Sequence, residues 1–274
     1  MTFWDHLDEL RKVLIQPILL VAVLTVVAFM LKEPVFDMVL AANSPDFITY
    51  RFADSFVPES FISGNDEFVF VQLINTELAS QFLMHMKVSF YVALVLAIPF
   101  LFYKLFRFVS PGLYRNERKY SKWVIFFSFI AFFCGIVVSY FIIFPFSFRF
   151  LASYHVSQEV SNMISLTSYI DTLITLSILM GIFFELPVMS WILSKFGLLN
   201  AIFLKKYRRH AVVVILIIAA IITPTTDIFT LLLVSVPILL LYETSVVIVS
   251  IGDRNRERKK MNIPEAGLVE QESL

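Results

Sequence analysis

A few acidic side chains are the residues best placed to do chemistry in this chain. Glu185 lies inside an apolar stretch, in Phe184-Glu185-Leu186-Pro187-Val188. An ionised carboxylate at the centre of a membrane costs roughly 2.5–3.5 kcal/mol, so it must face a cavity, a partner or a proton. No Lys or Arg is expected within the apolar spans, which leaves an ion pair inside a helix bundle hard to supply. Asp227 closes Thr223-Pro224-Thr225-Thr226-Asp227 just before another apolar run. Its position fits an N-cap that accepts the free N–H groups of the next helix. Glu9 and Glu117 stand instead in basic surroundings, beside Arg11 and Lys12 and between Arg115 and Arg118. On residue types alone, a local exposed ion pair accounts for each of them, and such pairs contribute little.

Other chemistries find no residues to carry them. There is no His-Glu-x-x-His, no Gly-x-Ser-x-Gly and no glycine-rich phosphate loop. His6, His85, His155 and His210 fall in separate segments, and Cys134 is the single cysteine. An internal disulfide and a cysteine-based zinc site are therefore excluded. No metal, cofactor or catalytic group is expected, and the chain does not read as an enzyme.

The elements that must hold these acids are membrane helices. Hydrophobic residues make up 58% of the chain and charged ones 16%, with a mean hydropathy of +0.81. Soluble domains are nearer to about half apolar and about a quarter charged. The apolar residues are gathered in long runs, the signature of an integral membrane protein. Residues 1–12 read as an amphipathic lead at the membrane surface, with Trp4, Leu7 and Leu10 at helical spacing. The acids Asp5, Asp8 and Glu9, together with a run as long as a full span, argue for a retained first helix over a cleavable signal.

Six spans are expected, at about 13–31, 82–106, 123–148, 167–193, 210–222 and 228–249. The membrane domain occupies 13–251. Residues 32–81 form an extramembrane cap, in which Phe68-Val69-Phe70-Val71 could be a short strand. Residues 252–274 form a charged tail expected to be disordered. Pro99, Pro145 and Pro187 should kink their helices. The last two spans are short. The apolar run 211–222 falls below the about 20 residues that a hydrocarbon core of ~30 Å requires, so the bilayer should thin there. The predicted fold is an all-α, six-helix, concave kinked bundle.

Charge sets the orientation. Of the 22 Lys and Arg residues, all but Lys32, Arg51, Lys87 and Arg149 fall in the lead, in the stretches 104–122 and 195–209, or in the tail. Basic residues accumulate on the cytoplasmic side, so both termini are expected there.

Four motifs, in order along nearly the whole chain, resemble the TatC family, the multi-spanning subunit of the twin-arginine protein translocase. They are His6-Leu7-Asp8-Glu9-Leu10-Arg11, Ser110-Pro111-Gly112-Leu113-Tyr114-Arg115-Asn116-Glu117-Arg118, Phe184-Glu185-Leu186-Pro187-Val188 and Thr223-Pro224-Thr225-Thr226-Asp227. The resemblance implies a receptor for signal peptides bearing two consecutive arginines. It also implies export of folded proteins across the cytoplasmic (inner) membrane, driven by the proton motive force. By motif position, Glu9 and Glu117 would receive the two guanidinium groups, with Phe108, Arg11 and Pro111 in the same cytoplasmic site. Glu185 would be the groove carboxylate. Thr223, Pro224 and Asp227 would form a turn near contacts with single-span TatA- or TatB-like subunits in an oligomeric complex. No nucleic acid partner is implied. The family pattern is departed from in the length of segment 32–81, in a turn that is not the tighter Thr-Pro-Pro-Asp, and at Leu231. The alternative reading is a proton-coupled small-solute transporter that uses Glu185, which predicts an inverted repeat.

Overall fold

In a computed structural model, which describes residues 3–56, 72–109, 121–154, 163–223 and 227–261, the chain is a kinked helical bundle. The elements are α1 (Phe3–Met30), α2 (Lys32–Leu40), a 3-10 turn (Ala41–Asn43), α3 (Ile48–Phe56), α4 (Ser80–Val109) and α5 (Ser121–Val138). A π-helical turn (Ser139–Ile143) leads into α6 (Phe144–Ser153). Then follow α7 (Leu166–Phe184), α8 (Leu186–Lys195), α9 (Ala201–Lys206), α10 (Arg208–Ile222) and α11 (Ile228–Met261). The strand suggested at Phe68–Val71 lies outside the described residues.

Among the described residues, five helical stretches are long and apolar enough to cross a membrane: Val13–Met30, Ser80–Lys104, Trp123–Ser153, Leu166–Lys195 and Ile228–Arg254. The sixth, α10, has 15 residues, about 22 Å at 1.5 Å per residue against a hydrocarbon core of ~30 Å. It starts at Arg208, three residues before the apolar run, because the helix continues through its basic residues. The last helix differs more from its expected bounds. It extends unbroken for 34 residues to Met261, so the disordered tail expected from 252 begins as helix. Only the first of the final pair is short throughout.

Two proline effects shape the spans. Pro145, at the start of α6, has no N–H to return to Phe141 one turn back. The chain widens there into the π-helical turn, and the Thr49 hydroxyl donates to the Phe141 carbonyl. Pro187 acts likewise on the fourth span, expected as one helix over 167–193. Helix α7 stops at Phe184 and α8 starts at Leu186, with Glu185 as the joint. By contrast, Pro99 stays inside the continuous α4 and Pro237 inside the continuous α11.

The main core joins α2, the 3-10 turn, α3, α4, the π turn, α6, α7, α10 and α11 around buried Tyr50, Phe144, Tyr169, Leu173 and Met180. None of the described side chains of α1 belongs to this core, and the helix packs against α4. Helices α5 and α7 cross at very short range. A Cβ on Gly135 would stand 2.5 Å from the Met180 carbonyl oxygen, and one on Gly181 would stand 2.7 Å from the Phe132 ring. Only glycine permits that approach.

The cap is fastened by hydroxyl groups from distant segments. Tyr50 donates to the carbonyls of Ala42 (3.0 Å) and Pro145 (3.1 Å). Tyr169 donates to Val39 O at 2.9 Å, and Tyr140 donates to Met38 O. Burial pushes the Tyr50 phenol well above its ordinary range, the Arg149 guanidinium opposing that shift only in part, so it remains a neutral donor. A parallel bridge, Ile74–Ser165, ties the far end of the cap to the start of α7.

Candidate functional site

Glu185 is carried at the break between α7 and α8, and three features place it. Pro187 ends the regular hydrogen bonding. The Glu185 N–H donates to Ile182 O at 3.1 Å, and its carbonyl accepts from Met189 N at 2.8 Å. The turn is thus tight but connected, and the carboxylate keeps one direction. On the same face of α7, at intervals of four, lie Ser177 and Gly181. Gly181 meets Phe132 of α5, and Ser128 is one turn before Phe132. The glycine-mediated crossing therefore sets the Ser128 hydroxyl against the Glu185 carboxyl as its hydrogen-bonding neighbour.

That neighbour satisfies only part of the group. Glu185 Oε1 is buried with no hydrogen-bond partner, as is the Ser139 hydroxyl at the start of the π turn. Each such atom costs about 1–3 kcal/mol. Among the described residues, no basic side chain pairs with Glu185. Chemically, this carboxyl can accept from a donor that arrives from outside the chain, or it can hold a proton.

The remaining expected residues separate into two ends. Asp227 Oδ1 accepts from Thr230 N at 2.6 Å and caps α11, as its position in the sequence required. Thr223 is buried and donates to Ala219 O at 3.1 Å, closing α10. Pro224 lies outside the described residues. Glu9 and Arg11 lie on the first turns of α1, and Phe108 lies on the last turn of α4. The two helices run antiparallel, Pro17 and Ile18 lying beside Ile98 and Leu101. This register brings the backbones of Glu9, Arg11 and Phe108 to one end of the pair. Pro111 and Glu117 lie outside the described residues.

The charge pattern of the spans needs one correction. Lys87 is inside α4 and pairs with Asp171 of α7, two charges on neighbouring helices that were not expected there. Each is more than 40% exposed, so the pair adds little stability. A second pair, Arg208–Glu243, joins α10 to α11. Nearby, Tyr242 donates to Leu204 O at 2.7 Å, and Asp253 Oδ2 accepts from Ala201 N at 2.8 Å. Sequence reasoning also missed Ser128. Its only signal was a small polar residue among the phenylalanines of α5, one turn from a later glycine contact.

Residues 5–237 match the family model described as "TatC: Sec-independent protein translocase protein (TatC)". The chain is 34% identical to the Sec-independent protein translocase protein TatC of Blattabacterium sp. subsp. Periplaneta americana, over 90% of this chain and 94% of that protein. It is 35% identical to the TatC of Deinococcus radiodurans, over 89% and 84%. A solved structure titled "Crystal Structure of Twin Arginine Translocase Receptor- TatC" superposes with a TM-score of 0.70 at 29% identity, covering 89% of this chain and 97% of that one. A second TatC structure, in DDM, gives 0.72 at 27% identity. With sequence and fold in agreement over nearly its whole length, this multi-pass membrane protein belongs to the TatC family of Sec-independent protein translocase proteins.

Proposed function

We propose that the chain is the signal-peptide receptor and core subunit of a twin-arginine translocase, exporting folded proteins at the expense of the proton motive force. The observation that carries this reading is the family match over residues 5–237, which includes both Glu9 and Glu117. The two acids sit in basic segments of the sequence. That surrounding positive field weakens non-specific attraction of cations and leaves two points where a guanidinium is welcome. Arginine meets a carboxylate through two parallel N–H···O bonds, a geometry the lysine ammonium cannot reproduce. Two carboxylates on separate segments read two adjacent arginines, with Phe108, Arg11 and Pro111 shaping the same site.

The termini and the loop carrying Glu117 face the cytoplasm, as the distribution of Lys and Arg indicates. Glu185 serves the passage itself. Its orphaned Oε1 is available to a donor from the passenger or from a single-span TatA- or TatB-like subunit. The turn at Thr223, Pro224 and Asp227 joins the fifth and sixth helices, which contact those single-span subunits within an oligomeric complex. A solute carrier built on an inverted repeat has no support, because the second and fifth spans are helices of 30 and 15 residues.

The test is binding of a twin-arginine signal peptide and of its Lys-Lys counterpart to the purified protein in lipid. The parent should strongly prefer the Arg-Arg peptide, and Glu9→Ala and Glu117→Ala should each lose most of that preference. Parental binding by both variants would overturn the assignment.

A further inference from the structure

A groove of about 570 Å³ runs between α1 and α4, lined by Pro17, Ile18, Ala22, Thr25, Ala97 and Leu101 among others. From the geometry we infer that it is a phospholipid site, which holds one acyl chain and selects an anionic headgroup. The groove exists because small and ring residues face each other there. Ala22 and Ala97 have little side chain, and Pro17 is buried against α4. It offers no free polar group: its one hydroxyl, Thr25 Oγ1, donates to Val21 O of its own helix at 2.8 Å. Along α1 it extends from Pro17 to Thr25, about 12 Å at 1.5 Å per residue. That is close to the depth of one leaflet, half of a hydrocarbon core of ~30 Å.

Charge identifies the occupant. The two stripes that line the groove continue toward one end of the helix pair. On α4, Phe90, Ala97 and Lys104 recur at intervals of seven. On α1, Thr25, Ile18 and Arg11 do the same. Both stripes therefore end in a cation, and the antiparallel register puts the two cations at the same end. Lys104 is half-buried, its ammonium 5.1 Å from the centre of the Phe100 ring. Arg11 is exposed. No acid pairs with either cation among the described residues. A dry groove that opens onto two cations fits a fatty chain joined to a phosphate with net negative charge. A zwitterionic headgroup would meet the same cations with no net attraction. This inference does not depend on the signal-peptide reading.

The test uses the whole protein in nanodiscs of mixed phosphatidylglycerol and phosphatidylcholine, followed by mild extraction and native mass spectrometry of retained lipid. The parent should retain phosphatidylglycerol over phosphatidylcholine by about fivefold, the weight of one basic residue near an anionic surface. Lys104→Gln should bring that ratio toward one, and Lys104→Arg should keep it. Ala22→Phe, at an exposed position, should fill the groove and reduce retention of both lipids without lowering the melting temperature. Equal retention of the two lipids by the parent would overturn the inference, as would an unchanged count in Ala22→Phe. Displacement of the retained lipid by a twin-arginine signal peptide would also overturn it, assigning the groove to the apolar part of that peptide.

Discussion

The cap end of the bundle and the joint at Glu185 both bury polar groups, and they treat them in opposite ways. At the cap, Tyr50, Tyr140 and Tyr169 each donate to a backbone carbonyl from a distant segment. Thr49 does the same for the carbonyl next to the π turn. At the joint, one serine faces the carboxyl, and the other carboxyl oxygen, Glu185 Oε1, is buried with no donor. Satisfied networks fix a structure, whereas buried groups left unsatisfied require a reason outside the stability of the chain. The cap is thus a clamp on helix positions, and the joint leaves one carboxyl oxygen without a partner from the chain.

That contrast can be broken by substitution. The largest effect on folding should come from Gly135→Ala, at the crossing that serves both regions. The added methyl would meet the Met180 carbonyl oxygen at 2.5 Å, a backbone atom that cannot swing aside. The helices must part, at a cost of about 1–3 kcal/mol, and Ser128 must draw back from Glu185. A melting curve of the purified protein should fall by several degrees, with export falling alongside. An unchanged melt would mean that the crossing is looser than described.

Tyr50→Phe should come next. It strips two buried carbonyls of one donor, at about 1–3 kcal/mol. The melt should drop, while signal-peptide binding to the protein that remains folded should persist. Loss of peptide binding without loss of stability would remove the distinction between clamp and open site.

Glu185→Gln should do the reverse. It keeps the shape and removes the ionisable group, so stability should change by no more than about 1 kcal/mol. Export of a twin-arginine precursor, followed in vesicles, should be largely lost. Normal export would reduce Glu185 to a packing residue. The smallest effect belongs to the pair Lys87–Asp171. Replacing both by Met and Leu should alter the melt by about 0–1 kcal/mol, because both partners are partly exposed.

Much of this molecule could be read from its residues, and the limits of that reading fall at identifiable places. The short fifth crossing helix was visible as a run of apolar residues ending at Thr223, and the N-cap role of Asp227 was visible in its type and position. The continuation of α11 to Met261 was not visible. Charge in 252–261 resembles a solvated tail, yet a helix already under way extends at little cost. The break at Glu185 was expected as a bend at Pro187, but its partner Ser128 was not, since nothing local to either residue names the other.

By itself the sequence determined the class of environment, the succession of spans, the gathering of basic residues into particular connecting segments and the kinds of group available for recognition. These follow from properties carried residue by residue: apolar length against the thickness of a bilayer, and the cost of moving a cation through it. Only the tertiary structure decided which groups meet. The approach of α5 to α7 at Gly135 and Gly181, the choice of carbonyl for each tyrosine, and the dry groove with two cations at its mouth all arise between segments far apart in the chain. Close packing selects such contacts through shape, and shape is a property of surfaces that exist only once the helices have come together.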